Sequence, residues 1–129
     1  MKESKMSVNE QVFHALIFAH SKLGEFEAAD NIKDIMNDIG LGVDHSTYTA
    51  KMRGMIASGV DIDAIKIELK KYNEEGTFFD DLDYFTLITE FCEKGNGEAA
   101  KILGMVSHKM SPITIFLVTS FLSKNPSNI

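Results

Sequence analysis

The sequence predicts an all-α protein, an α-solenoid of antiparallel helix-turn-helix repeats with about seven helices. Three observations carry that expectation. Apolar residues recur at helical spacing along nearly the whole chain, with almost no strand-like alternation. Glycine and proline cut the chain into short segments. Landmarks of the pattern return at intervals of 35 or 36 residues, the kind of period at which helical hairpins stack.

The elements follow in order. Ser7 and Glu10 have the spacing of a capping box, in which a serine oxygen takes an orphan amide and a glutamate reaches back. From there Val12, Phe13, Leu16, Ile17 and Ala19 form an apolar stripe that ends near Gly24. Ala28, Ala29, Ile32, Ile35, Met36 and Ile39 form a second, ending at Gly40. Tyr48, Met52, Met55 and Ile56 mark a third helix, closed by Gly59. Ile62, Ile65, Ile67 and Leu69 mark a fourth, which fades through Asn73 to Gly76. Leu82, Tyr84, Phe85, Leu87, Ile88 and Phe91 run to Gly95, and Ala99, Ala100, Ile102, Leu103 and Val106 make the sixth. Ser111-Pro112 is a start signal, a capping hydroxyl followed by proline at the first helical position, and Asn125-Pro126 stops the seventh helix.

Self-similarity separates a solenoid from a bundle. Gly24, Gly59 and Gly95 are spaced by 35 and 36 residues, as are Phe13, Tyr48 and Tyr84, and Ala29, Ala64 and Ala100. The chain therefore reads as one helical-repeat domain over residues 1–129. Its repeats span 10–44, 45–80 and 81–111, a terminal helix spans 112–123, and the whole is a fragment of a longer solenoid.

Composition bounds the function. Hydrophobic residues make up 44% and charged residues 25%, ordinary for a globular domain. No apolar run reaches the roughly 20 residues of a membrane helix, and Met1 to Ser7 lack the apolar core of a secretory signal. Nineteen acids against 13 bases give a net charge of −6 and a pI near 5.1, unlike the basic footprint of most nucleic-acid binders. The excess is local: Glu10–Asp44 carries −5 and His45–Asp80 only −1. A single cysteine, Cys92, excludes an internal disulfide framework and fits a reducing compartment.

Catalysis finds no support in the residues. His14, His20, His45 and His108 have no pairing at helical spacing, and Cys92 has no second cysteine for a zinc site. Asp80, Asp81 and Asp83 lack the rest of an EF-hand loop, and helix capping accounts for them. There is no phosphate loop and no nucleophile elbow. The expectation is a protein that is not an enzyme and holds no cofactor or metal.

Certain strings resemble the pentatricopeptide repeat family. Phe13-His-Ala-Leu-Ile17, Lys22-Leu-Gly24, Glu27-Ala28-Ala29 and Met36-Asn-Asp-Ile-Gly40 follow its pattern. The second copy keeps Thr47-Tyr48 and Gly59 but has Lys51 where an apolar residue is expected. The third has Tyr84-Phe-Thr-Leu-Ile88 and Glu93-Lys-Gly95, then departs from it. The tetratricopeptide pattern, with its Trp/Leu/Gly/Tyr signature, is absent.

The resemblance implies a groove of first helices that binds single-stranded RNA, one base per repeat, read by the fifth and the last residue. The fifth positions are His14, Thr49 and Phe85, and the last are Asp44 and Asp80, with Thr49 and Asp80 together suited to guanine. Asp80 carries a one-residue insertion between Ala64 and itself, and His14 and Phe85 are suited to stacking. Lys51 and Arg53 are candidates for phosphate contacts, beside the plain reading of solvated lysines and arginines. Asp44 and Asp80 would serve as N-caps in any helical protein, and Phe85 beside Tyr84 would pack into a core. The resemblance further implies messenger RNA as ligand, a small RNA-recognition-motif protein as partner, no membrane, and a mitochondrial location with the nucleus as alternative. The other class of function that the residues allow is a protein-interaction scaffold using an acidic helical surface.

Overall fold

Helix α1 (Glu10–Lys22) begins at Asn9, whose carboxamide oxygen accepts the Gln11 and Val12 amides in the computed structural model, which describes residues 9–106. The helix start expected from Ser7 is thus corrected to Asn9, a residue at least as good at satisfying orphan amides. Five further helices follow: α2 (Phe26–Asp38), α3 (His45–Ser58), α4 (Ile62–Glu74), α5 (Asp81–Glu93) and α6 (Gly97–Val106). The fold class is all-α, and the described residues hold no strand. The terminal helix expected over 112–123 lies outside the described residues.

The helix ends obey local chemistry. Asp44, Asp61, Asp80 and Asn96 start α3, α4, α5 and α6 by accepting amides with their side chains. Gly24, Gly59 and Gly95 turn the chain out of α1, α3 and α5 at positive φ (82°, 111° and 78°), which only glycine adopts without strain. Measured from the caps Asn9, Asp44 and Asp80, each of these glycines sits at the same place.

The second helices have a different register from the one read in the sequence. Their caps, Glu25, Asp61 and Asn96, are spaced by 36 and then 35 residues, because Val60 is an extra residue in the turn between α3 and α4. The insertion therefore precedes Ala64 and does not follow it. Ala29, Ile65 and Ala100, all 0% exposed, share the first fully buried position, and Ala64 is half-buried beside it. Glu25 to Asp44 and Asp61 to Asp80 are then equal stretches, so Asp80 is the true counterpart of Asp44.

Packing runs from hairpin to hairpin. α1 lies against α2 and α3, α3 against α5, and α5 against α6, while α3 and α4 touch less extensively across the lengthened turn. A line of aromatics fills that gap: Tyr48 stacks on Tyr72 at 3.9 Å between ring centroids, Tyr72 meets Phe79, and Phe79 meets Tyr84 edge-on. The main core gathers residues of α3 to α6, among them Met52, Ile56, Leu69, Phe91, Cys92 and Leu103. A smaller core, Ile17, Ala29 and Met36, serves the first hairpin.

α3 is enclosed on so many sides that Thr47, Thr49, Lys51 and Gly54 are buried along with its apolar residues. At Gly54 it touches α1: a Cβ there would stand 2.4 Å from Ser21 Cβ and 2.7 Å from the Phe18 carbonyl oxygen. Conversely, Val12, Leu16, Ile35, Ile39, Ile67 and Leu82, all read as apolar stripe residues, remain exposed.

Candidate nucleic-acid interface

The candidate base-reading residues meet at the joints between first helices, and the two joints share a plan. At the first, the Asp44 carboxylate accepts the Ser46 and Thr47 amides, and Thr47 Oγ1 accepts the Asp44 amide at 3.3 Å. His14, reaching over from α1, places Nε2 at 3.0 Å from the same Thr47 oxygen. At the second, Asp80 Oδ1 accepts the Asp83 amide and Asp83 Oδ2 returns the bond to the Asp80 amide, both at 2.9 Å. Thr49, reaching over from α3, donates its hydroxyl to Asp83 Oδ1 at 3.1 Å. In each joint a fifth-position residue of one hairpin is tied to the third residue of the next first helix, beside the capping aspartate of that helix.

The second joint is the more highly charged. Where the first has the Thr47 hydroxyl, it has the Asp83 carboxylate, and His45 Nδ1 donates to Asp83 Oδ2 at 2.7 Å. Burial pushes the Asp83 carboxyl above its ordinary value, while the Asp83 backbone amide holds Asp80 below it. Burial lowers the affinity of His45 for a proton, but the bond to Asp83 and the charges of Asp83, Asp80 and Asp44 outweigh it, so its pKa is raised. His45, Asp80 and Asp83 bring one ligand atom each within 4.8 Å of one another, a spacing open to a divalent cation. Both Asp83 oxygens already accept hydrogen bonds from protein groups, so the cluster is internally satisfied.

The other candidates sit apart from the joints. Phe85 is half-buried and packs on the main core. Arg53 is 46% exposed, donates Nε to Glu90 Oε1 at 3.0 Å, and lies 4.3 Å from the centre of the Phe18 ring. Arg53 and Phe85 line a shallow depression of about 240 Å³ between α3 and α5, with Leu82, Thr86 and Glu93. Lys51 is in the interior: it is 5% exposed, its ammonium 3.0 Å from Asp30 and 3.8 Å from Glu68. It occupies the position where the repeat pattern calls for an apolar residue, and two carboxylates neutralise it there. A phosphate contact by Lys51 is therefore closed to solvent, Thr49 at 6% exposed is covered as well with its hydroxyl engaged by Asp83, and Arg53 is reachable.

Comparison with protein-family models and with curated proteins gives no match for this chain.

Several participants were not assigned these roles from the sequence. Thr47, Asp83, His45 and Glu90 hold the candidates in place, and Asp30 and Glu68 hold Lys51. A signal for two of them exists. Asp44-x-x-Thr47 and Asp80-x-x-Asp83 have the spacing of reciprocal caps, which is the geometry found. The lateral partners, 33 and 34 residues away, carry no such local signal.

Proposed function

We propose that the chain is a single-stranded RNA-binding segment of a pentatricopeptide-like solenoid. The observation that carries this reading is the repeated joint, which places His14 beside Asp44 and Thr49 beside Asp80 through a shared neighbour. These are the pairs that the family resemblance assigns to reading one base each. The succession of contacts from α1 to α3 to α5, with caps 35 and 36 residues apart, supports the solenoid part of the reading. The run beginning Asn9-Glu-Gln-Val-Phe13 looks like the leucine-rich pentatricopeptide protein of animal mitochondria. The parent on this reading is a mitochondrial regulator of messenger RNA stability, polyadenylation and translation, working with a small RNA-recognition-motif protein.

Titration of guanine- and uracil-bearing single strands and of a duplex tests it. Single strands bind weakly and salt-sensitively, and duplex RNA hardly at all, because an A-form helix hides its base edges. Thr49→Asn moves the preference from guanine toward uracil by several-fold, since one good contact is worth about 1 kcal/mol. Failure of both single strands to bind at low salt overturns the RNA reading. One observation favours the scaffold alternative: Lys51 and Arg53 are both held by carboxylates, which leaves the first-helix face short of free positive charge. On that reading the face takes a basic partner, and RNA of any sequence leaves the protein unbound.

A further inference from the structure

The first helices carry a repeated docking face, and α1 leaves its copy of that face uncovered. Counted from the residue after the cap, the third, seventh and tenth residues lie on one side of a helix. In α3 these are Thr47, Lys51 and Gly54, and in α5 they are Asp83, Leu87 and Glu90, all of them buried. The third and tenth meet the preceding first helix directly. Thr47 is bonded to His14 and Asp83 to Thr49, while Gly54 lies against Phe18 and Ser21, and Glu90 accepts from Arg53. Early residues meet early ones and late residues meet late ones, so successive first helices run in the same sense.

In α1 the same positions hold Val12, Leu16 and Ala19. Val12 is 48% and Leu16 44% exposed, Ala19 is exposed, and Leu23 at the end of the helix extends the stripe. From Gln11 to Ser21 the helix holds no Asp, Glu, Lys or Arg, so an occupant of this face is held by apolar contact. The face departs from its two counterparts at the third residue, which cannot form a hydrogen bond. A polar fifth residue of a preceding hairpin, buried against Val12, loses water and gains no partner. An apolar one avoids that cost, and the third hairpin of this chain already has one, Phe85. Ala19 sets the spacing. With a side chain at the tenth position, as in α5 at Glu90, the close approach made at Gly54 is not open to α1.

We propose that this face of α1 is the docking surface for a preceding hairpin of the same polypeptide, whose first helix runs in the sense of α1 and carries an apolar fifth residue. The occupants of the two equivalent faces are preceding hairpins, which is what selects a hairpin for the third. The docking rests on the stacked-repeat part of the function proposed above and takes nothing from its RNA part.

Extension of the full chain tests this. A copy of residues 44–79, the hairpin that α5 receives, is joined directly ahead of Asn9 with Thr49→Leu in the copy, so that Asn9 follows Phe79 as Asp80 does. The extended chain melts higher by about 4 °C or more, and its α1 amides exchange about tenfold more slowly. Leu16→Lys in α1 removes both gains and leaves the melting of the unextended chain unchanged, since Leu16 is exposed there. With Thr49 retained in the copy the gain is smaller, and Val12→Asp in α1 restores it by repeating the bonded joint of Thr49 and Asp83. Absence of a gain in both the Thr49→Leu and the Val12→Asp versions overturns the docking, and a gain in the second alone overturns the apolar joint. A gain that survives Leu16→Lys also overturns the proposal. So does sedimentation of the unextended chain as a dimer that Leu16→Lys dissolves, because the face then belongs to a second copy. Leu87→Lys, at the seventh position inside the stack, lowers the melting of every version, and without that loss the stacked-repeat reading itself fails.

Discussion

A buried lysine and a partly exposed histidine show how single residues hold these hairpins together. Lys51 lies between Asp30 and Glu68, yet each acid keeps another partner: Asp30 is 3.2 Å from Lys33, and Glu68 accepts the Tyr72 hydroxyl at 2.6 Å. The bond to Lys51 is one of the interactions that hold the Asp30 carboxyl below its ordinary value against burial, which raises it. Lys51→Met removes the buried ammonium and leaves neither carboxylate alone, so it costs less than about 1 kcal/mol in chemical denaturation. Lys51→Glu places three carboxylates together in the interior and costs about 3–5 kcal/mol. Loss of RNA binding in that second variant would report unfolding, which makes Arg53 the residue on which to test phosphate contact. His45 supplies a pH dependence of known sign. Its folded pKa lies above the ordinary 6.5, so its contribution is full below that value and is lost as pH rises through the folded pKa. The melting temperature of the wild type should therefore fall between about pH 6 and pH 8.5 by more than that of His45→Gln. Equal falls would show that the His45–Asp83 bond does not couple folding to protonation.

At the scale of the helix, the contact of α1 with α3 turns on one missing methyl group. A Cβ at Gly54 meets the backbone of α1 at the Phe18 carbonyl as well as Ser21, and backbone cannot swing aside like the end of a side chain. Gly54→Ala should destabilise the protein by about 2 kcal/mol, against the small gain in helix propensity that alanine brings at an exposed site. A melt unchanged or raised by Gly54→Ala would show that the two helices part without penalty. The same element marks what could be read in advance and what could not. The ends of α1 to α5 fall within two residues of their glycines, because capping is a property of a few neighbouring residues. Which faces are buried depends on other hairpins, so Lys51, Thr49 and Gly54 went inside while Ile35, Ile67 and Leu82 stayed out. The extra Val60 was misplaced for a related reason. Ala64 adjoins the buried Ile65, and only the cap at Asp61 tells which of them matches Ala29. The candidate pairs His14 with Asp44 and Thr49 with Asp80 were legible from the family pattern, but the neighbours that occupy them lie more than thirty residues away.

Across the whole molecule, stability is distributed unevenly. The core of α3 to α6 contains eight large apolar side chains with almost no exposure, among them Tyr72, Phe91, Ile56 and Leu103, and Tyr72 is stacked on Tyr48. The first hairpin relies on Ile17, Met36 and Ala29, while Val12 and Leu16 of α1, Ile35 of α2 and the Ile39 that caps α2 are left in solvent. A fully buried large apolar side chain contributes about 2 kcal/mol, so α2 in particular has little to hold it. Hydrogen exchange followed by mass spectrometry should find the α2 amides opening first, well before those of α3 and α5. Uniform protection across all six helices would show a single cooperative unit.

Thr47 and Asp83 each do two jobs with one side chain. Each closes the cap that starts its own helix, and each receives the residue that ties that helix to the previous hairpin. Replacing either side chain therefore weakens a helix start and a contact between first helices together. The same economy limits recoding. On the proposed RNA reading, exchanging a fifth-position residue to suit another base also rewrites the joint, so that a change in RNA preference would arrive together with a change in the contact between first helices.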